Sequence, residues 1–188
     1  MRTLLLTAGL LCAARALPVM ADQRPLMVPT RDVDVTYAMV ALGSGGKPVE
    51  LSQRLRWDVA AGRLRVDPPV RGVYMLMDYH THRLLAVRDA QRSVLEMPAD
   101  LTSVAPGLAR GTSFVRRGED TVAGIKCTEW DTQDSSGQAT TVCLTDDGVL
   151  LRAKTSARVL VEATHVTYAP IDPSLFQVPD GYQHVTPR

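Results

Sequence analysis

The chain has 188 residues, 21 Lys and Arg against 20 Asp and Glu, and a formal charge of +1. That length suits one domain with its own core. A balance so close to neutral lacks the basic stripe that nucleic-acid binding requires, and no low-complexity tract, charge run or solenoid-period repeat interrupts it.

Arg2 is the only charge before residues 3–14, which read TLLLTAGLLCAA. A membrane-spanning helix needs about 20 apolar residues, so this run is too short to cross and has the size of a secretory signal core. Val19-Met20-Ala21 offers a cleavage site before Asp22. Ala14-Arg15-Ala16 offers an earlier one, which would leave Pro18 just behind the cut. Cleavage after Ala21 is preferred, with Ala16 as the alternative. Cys12 follows Leu11, not a small residue, so it reads as part of the discarded signal and not as a lipid-modified cysteine. Residues 22–188 are then a single exported domain. Its charge falls to −1, because Arg2 and Arg15 leave with the signal and no acid does. No later stretch is apolar for long enough to span a membrane.

Strand signals dominate from residue 33. Val33, Val35, Tyr37 and Met39 alternate with Asp34, Thr36 and Ala38, the period of a half-buried strand. Gly43-Ser44-Gly45-Gly46 turns the chain. Leu51, Gln53, Leu55 and Trp57 then share one side of a second strand, with Arg54, Arg56 and Asp58 on the other. Ala61-Gly62 leads into Leu64 and Val66, and Pro68-Pro69 ends that strand, since proline cannot donate to a ladder. Further strands read at 73–78, 83–88 and 93–97. A loop with room for a helical turn is expected over 98–111. Strands resume at 114–117, 125–131, 140–145, 149–153 and 159–168, with a tight turn at Asp146-Asp147-Gly148. Ten or eleven short strands at this spacing indicate a mainly β, antiparallel sandwich or barrel. Asp172-Pro173 is a helix start, and one short turn there is expected to carry Leu175 and Phe176 inward to close an end of the sheet.

After the signal, Cys127 and Cys143 remain, in a setting where disulfides form. Between them lies the turn cluster Asp134-Ser135-Ser136-Gly137. A hairpin centred on Ser135 opposes residues whose numbers sum to 270, which sets the two cysteines directly across from one another. Opposed Cα atoms lie about 4.5–5.5 Å apart, within disulfide range.

The order of these elements and three motifs resemble a known family. They are RDVDVTY at 31–37, DTVAGIKCTEW at 120–130 running on to TVCLTDDGVLLRA at 141–153, and the ending IDPSLFQVPDGY at 171–182. Together they resemble the LolA-like periplasmic proteins, and more closely the uncharacterised bacterial relatives of that outer-membrane lipoprotein carrier. The likeness covers most of residues 22–188. It implies an open, strongly curved antiparallel sheet, an incomplete β-barrel, with helical segments over its mouth and an apolar cavity within. In the carriers that cavity holds lipoprotein acyl chains. This chain departs from them in lacking an amphipathic helix before Arg31, where Arg24 and Pro25 argue against one. The fold and an apolar-ligand tendency carry over, and the carrier role does not.

Tyr37, Met39, Leu55, Trp57, Met75, Met77, Leu95 and Met97 would line such a cavity. Methionine is flexible and suits varied apolar partners. The same side chains could instead fill a close-packed core. The first reading makes the protein a non-catalytic periplasmic binder of an apolar ligand, a lipid or lipoprotein acyl chain, in which Trp57→Ala and Met77→Ala weaken the ligand more than the fold. The second makes it a structural or partner-binding envelope protein acting through its surface or a sheet edge. A void of about 300 Å³ or more separates the first from the second.

No catalytic constellation accompanies either reading, and no cofactor is implied. His80 and His82 share a strand face in principle, but two ligands are too few for a tight metal site, and the segment reads as an exposed turn. His165 and His184 lack a nucleophile-elbow partner. Glu119-Asp120 and Asp146-Asp147 are neighbours whose side chains point apart, as solvated turn residues do. Gly43-Ser44-Gly45-Gly46-Lys47 lacks the Ser/Thr of a phosphate loop, with Pro48 in its place.

Overall fold

A computed structural model describes residues 24–42, 47–98, 113–133 and 136–185. The expected signal, both cleavage positions, Cys12 and nearly all of the loop expected at 98–111 lie outside these residues.

The strands are β1 (Val33–Leu42), β2 (Pro48–Asp58), β3 (Arg63–Asp67), β4 (Val73–Asp78), β5 (Arg83–Arg88) and β6 (Ser93–Pro98). They continue with β7 (Val115–Val122), β8 (Ile125–Gln133), β9 (Ala139–Leu144), β10 (Leu150–Lys154), β11 (Val159–Thr167) and β12 (Gln183–Val185). All twelve form one sheet in the order β12-β6-β5-β4-β3-β2-β1-β11-β10-β9-β8-β7. The sheet is curved and does not close, so the fold is the expected incomplete barrel. Two meanders build it, β1 to β6 and β7 to β11, joined where β11 pairs antiparallel with β1. The strand that sequence periodicity did not reveal is β12. It is three residues long, pairs parallel with β6, and so covers that edge.

Alternation divides the side chains between two faces. On one face Val33, Val35, Tyr37, Leu55, Trp57, Leu64 and Val66 join Trp130, Val142, Leu144, Val149, Leu151 and Val161 in the main core. This core face carries apolar residues from both meanders because pairing in register sets like against like: Val35 opposes Leu55, Leu55 opposes Val66, and Trp57 opposes Leu64.

The opposite face of β1–β3 is charged. Asp34 takes Arg54 and Arg56, and Asp67 takes Arg56 and Arg65. Further along, Tyr74, Leu76, Val87 and Val94 make that face apolar, and the chain after β11 packs onto them. Asp172 caps the 3-10 turn Pro173–Phe176 by accepting the Ser174 N–H. The helical turn forms where expected, but Leu175 and Phe176 do not close an end of the sheet. They cover this second apolar patch. Arg65 pins them: it donates to the Leu175 carbonyl at 2.8 Å and lies 3.9 Å over the Tyr74 ring. Among the described residues no other helix sits over the sheet, so the helical cover implied by the resemblance is not found there.

Cys127 and Cys143 form a disulfide with Cα atoms 5.4 Å apart. The register differs from the sequence reading. Glu129 opposes Cys143 and Thr128 opposes Leu144, so opposed numbers sum to 272 and the hairpin centres on Ser136. The cysteines are diagonal neighbours on one face, not an opposed pair.

Candidate functional site

The eight residues expected to line a cavity all fall on the core face. Register shows it strand by strand. Val66 opposes Met75 and Leu64 opposes Met77. Met75 then opposes Ala86, which opposes Leu95, while Met77 opposes Leu84, which opposes Met97. Directly opposed residues of antiparallel strands point to the same side.

They do not share one cavity. Tyr37, Met39, Leu55 and Trp57 line an apolar hollow of about 80 Å³ together with Met27, Pro29, Leu144, Val149 and Val161. Sites that enclose a small-molecule ligand run to roughly 300–1,000 Å³. Met75 and Met77 pack at the margin of the same core. Leu95 and Met97 lie two strands further out and do not line the hollow. Met75, Met77, Leu84, Ala86, Leu95 and Met97 form instead a half-buried apolar trough across β4–β6, continuous with the core.

The polar atoms of this region are few. Tyr37 donates its hydroxyl to the Leu150 carbonyl at 2.7 Å, and burial pushes its pKa up. The Trp57 ring stacks on Tyr79 at 5.4 Å between centroids. The Tyr79 hydroxyl is buried with no hydrogen-bond partner among the described residues, and burial raises its pKa too. Trp57 is thus part of the core itself, and its removal would disturb the fold before any ligand.

Sequence reasoning missed the segment that closes the hollow. Residues 24–32 form no helix, as Arg24 and Pro25 suggested; they run irregularly with bends at 28, 30 and 31 and lay Met27 and Pro29 into it. The β9–β10 turn holds the segment. Thr30 donates its N–H to the Asp147 carbonyl at 3.0 Å. The Asp147 carboxylate accepts Arg31 Nε at 2.5 Å, Thr145 Oγ1 at 2.5 Å and Tyr168 OH at 3.2 Å. Burial opposes its ionisation, and these hydrogen bonds and the Arg31 charge outweigh that, so its pKa lies below the ordinary carboxylate value. Gly148 sits at φ +88°, and a Cβ there would run into the Val28 carbonyl. The tight-turn signature at 146–148 was legible. Its use as a seat for residues 24–32 was not.

His80 and His82 lie at the exposed β4–β5 turn, with His80 packed over Gly62. His165 Nε2 meets the Thr167 hydroxyl at 3.1 Å, and both residues are exposed on β11. Asp120 pairs with Arg152, as does Glu129, which also takes Lys154. These acids belong to an ion network beside the disulfide, not to an acid–base pair.

The described residues thus form an open curved sheet with a small apolar hollow and, beside it, a half-buried apolar stripe across β4–β6. No family model and no curated protein matches the chain. Solved structures do resemble it. An uncharacterized conserved protein from Thermus thermophilus superposes with a TM-score of 0.59 at 13% identity, over 84% of this chain and 91% of that one. MucB superposes with a TM-score of 0.51 at 13% identity, over 81% of this chain and 58% of its own. The Pseudomonas aeruginosa MucA/MucB complex gives 0.50 at 14% identity, over 80% of this chain and 56% of that one. This chain therefore spans little more than half of MucB. At such identities the shared feature is the fold.

Proposed function

We propose that the protein is an exported, non-catalytic binding protein of the cell envelope that receives an apolar segment of a protein partner along the β4–β6 trough. Its signal would be residues 1–21, cut after Ala21, leaving one LolA-like domain over 22–188. The carrying observation is the contrast in burial on a single face. The hollow lined by Tyr37, Leu55 and Trp57 is too small for a ligand, whereas the adjoining stripe of Met75, Met77, Leu84, Leu95 and Met97 stays partly exposed. Partly exposed apolar surface of this kind marks interaction sites. MucB has been solved in complex with MucA, which supports a protein as the partner.

A second reading places a lipid or lipoprotein acyl chain in the same trough. Three methionines in that stripe favour it, since their flexible thioethers accept irregular apolar shapes. Native mass spectrometry of the protein isolated from the envelope fraction decides between the two. A polypeptide-sized excess supports the partner reading. A lipid-sized excess lost on denaturation supports the second. A bare mass for untreated and crosslinked protein alike contradicts both. The same spectrum, taken under denaturing conditions, gives the mature N-terminus.

A further inference from the structure

The face opposite the trough carries a second cavity, of about 290 Å³. Leu76 and Leu85, opposed on β4 and β5, form its floor, and Phe176 of the 3-10 turn walls it. Its rim is the neighbouring row of the sheet, where Arg63 opposes Asp78 and Asp78 opposes Arg83.

The rim charges differ in what they are free to do. Arg83 forks onto Glu96, with Nε and Nη2 at 2.7 and 2.9 Å from its two oxygens. Asp78 Oδ1 accepts the N–H groups of His80 and Thr81, each at 2.9 Å. Arg63 is half-buried and its charge acts on Asp78 opposite it, helping the Thr81 and His80 N–H groups to hold that carboxyl below its ordinary pKa, but no hydrogen bond from the guanidinium to a described residue is seen. A guanidinium presents a planar fork that matches a carboxylate through two parallel N–H···O bonds. Arg63 shares its charge with Asp78 but keeps its hydrogen-bonding fork open, and an apolar floor beneath that fork is complementary to an anion with a hydrocarbon tail.

We infer that this cavity binds a monoanionic carboxylate with a short apolar tail, its head on Arg63 and its tail over Leu76, Leu85 and Phe176. Taking about 30 Å³ per liquid-like heavy atom, the space holds about ten non-hydrogen atoms. Octanoate has that size. The same chemistry could come from a free fatty acid or from the C-terminal carboxylate of an apolar peptide. The site lies on the other face from the trough and stands whether or not the trough binds a partner.

The test is a titration of the ¹⁵N-labelled protein followed by amide shifts, with octanoate, octan-1-ol, and an apolar tripeptide in free-acid and C-terminal amide forms. Octanoate should shift the amides of residues 63, 76–78, 83–85 and 176–177, with octan-1-ol at least tenfold weaker. If the free-acid peptide binds and its amide does not, the source is a chain terminus; if only octanoate binds, it is a fatty acid. Arg63→Gln should weaken octanoate at least tenfold while the remaining spectrum is unchanged. Leu85→Trp, which fills the floor and leaves Arg63, should abolish binding, and serves if the first variant folds poorly. Shifts confined to Tyr37, Leu55 and Trp57, equal affinity of Arg63→Gln, or no shift with any of the four probes would overturn the assignment.

Discussion

Cys127 and Cys143 are bonded diagonally: Glu129, not Cys127, stands opposite Cys143 in the β8–β9 ladder, and yet the two cysteine Cα atoms are 5.4 Å apart. A diagonal clip ties the ladder in one register, because a slip would carry the two sulfurs out of reach. Reducing it frees a loop of 16 residues' separation. The loss of stability should be about 3 kcal/mol on the chain-entropy model. Urea denaturation of Cys127→Ala/Cys143→Ala against the oxidised protein measures it, and a loss under about 1 kcal/mol would mean that the ion network around Arg152 already fixes the register.

Gly148 and Gly124 make a matched pair. Both have positive φ, +88° and +76°, but a Cβ on Gly148 meets the Val28 carbonyl while one on Gly124 meets nothing within 4 Å. Gly124→Ala should cost about 1 kcal/mol from backbone strain alone. Gly148→Ala should cost distinctly more and release residues 24–32, seen as faster amide exchange at Thr30. Equal costs would contradict the close seating of that segment.

Asp147 links stability to pH. Its folded pKa lies below the ordinary value, so its contribution is full above the unfolded carboxylate pKa of about 4 and is lost as pH falls through the lower folded value. Asp147→Asn should therefore melt below wild type at neutral pH, and the gap should narrow in acid. A gap independent of pH would show that the carboxylate charge adds nothing to the hydrogen bonds.

The Tyr79 hydroxyl offers a test of the opposite sign. It is buried without a partner among the described residues, while the ring stacks on Trp57. Leaving such a group unsatisfied costs about 1–3 kcal/mol, so Tyr79→Phe should keep the stack and raise stability. A lower melting temperature would mean that the hydroxyl is engaged in solution.

Much of this architecture was legible because strands write their period into the sequence. Val33-Val35-Tyr37 and Leu55-Trp57 alternate cleanly, and the register that joins them puts all eight expected cavity residues on one face. What escaped was set by contacts distant in sequence. Nothing local to Met27 or Pro29 says that they will lie against Val149, nor does Asp172-Pro173 reveal which face Phe176 will cover. Hairpin register was off by one position because a cluster of turn residues does not say which of them is the apex. Whether apolar stripes enclose a void depends on what packs over them: Met27 and Pro29 lie in the hollow lined by β1 and β2, while Met75, Met77, Leu95 and Met97 stay half-buried.

The decisive measurement is photocrosslinking in the producing cell from two positions on opposite faces. A benzophenone side chain replaces Met97 in the trough in one strain and exposed Arg54 on the charged face in the other. Crosslinks to one envelope protein from position 97, absent from position 54 and lost when Met77→Lys is added to a protein that still folds, are the expected result. Equal crosslinking from both faces, or none from position 97, would contradict a binding role carried by the trough.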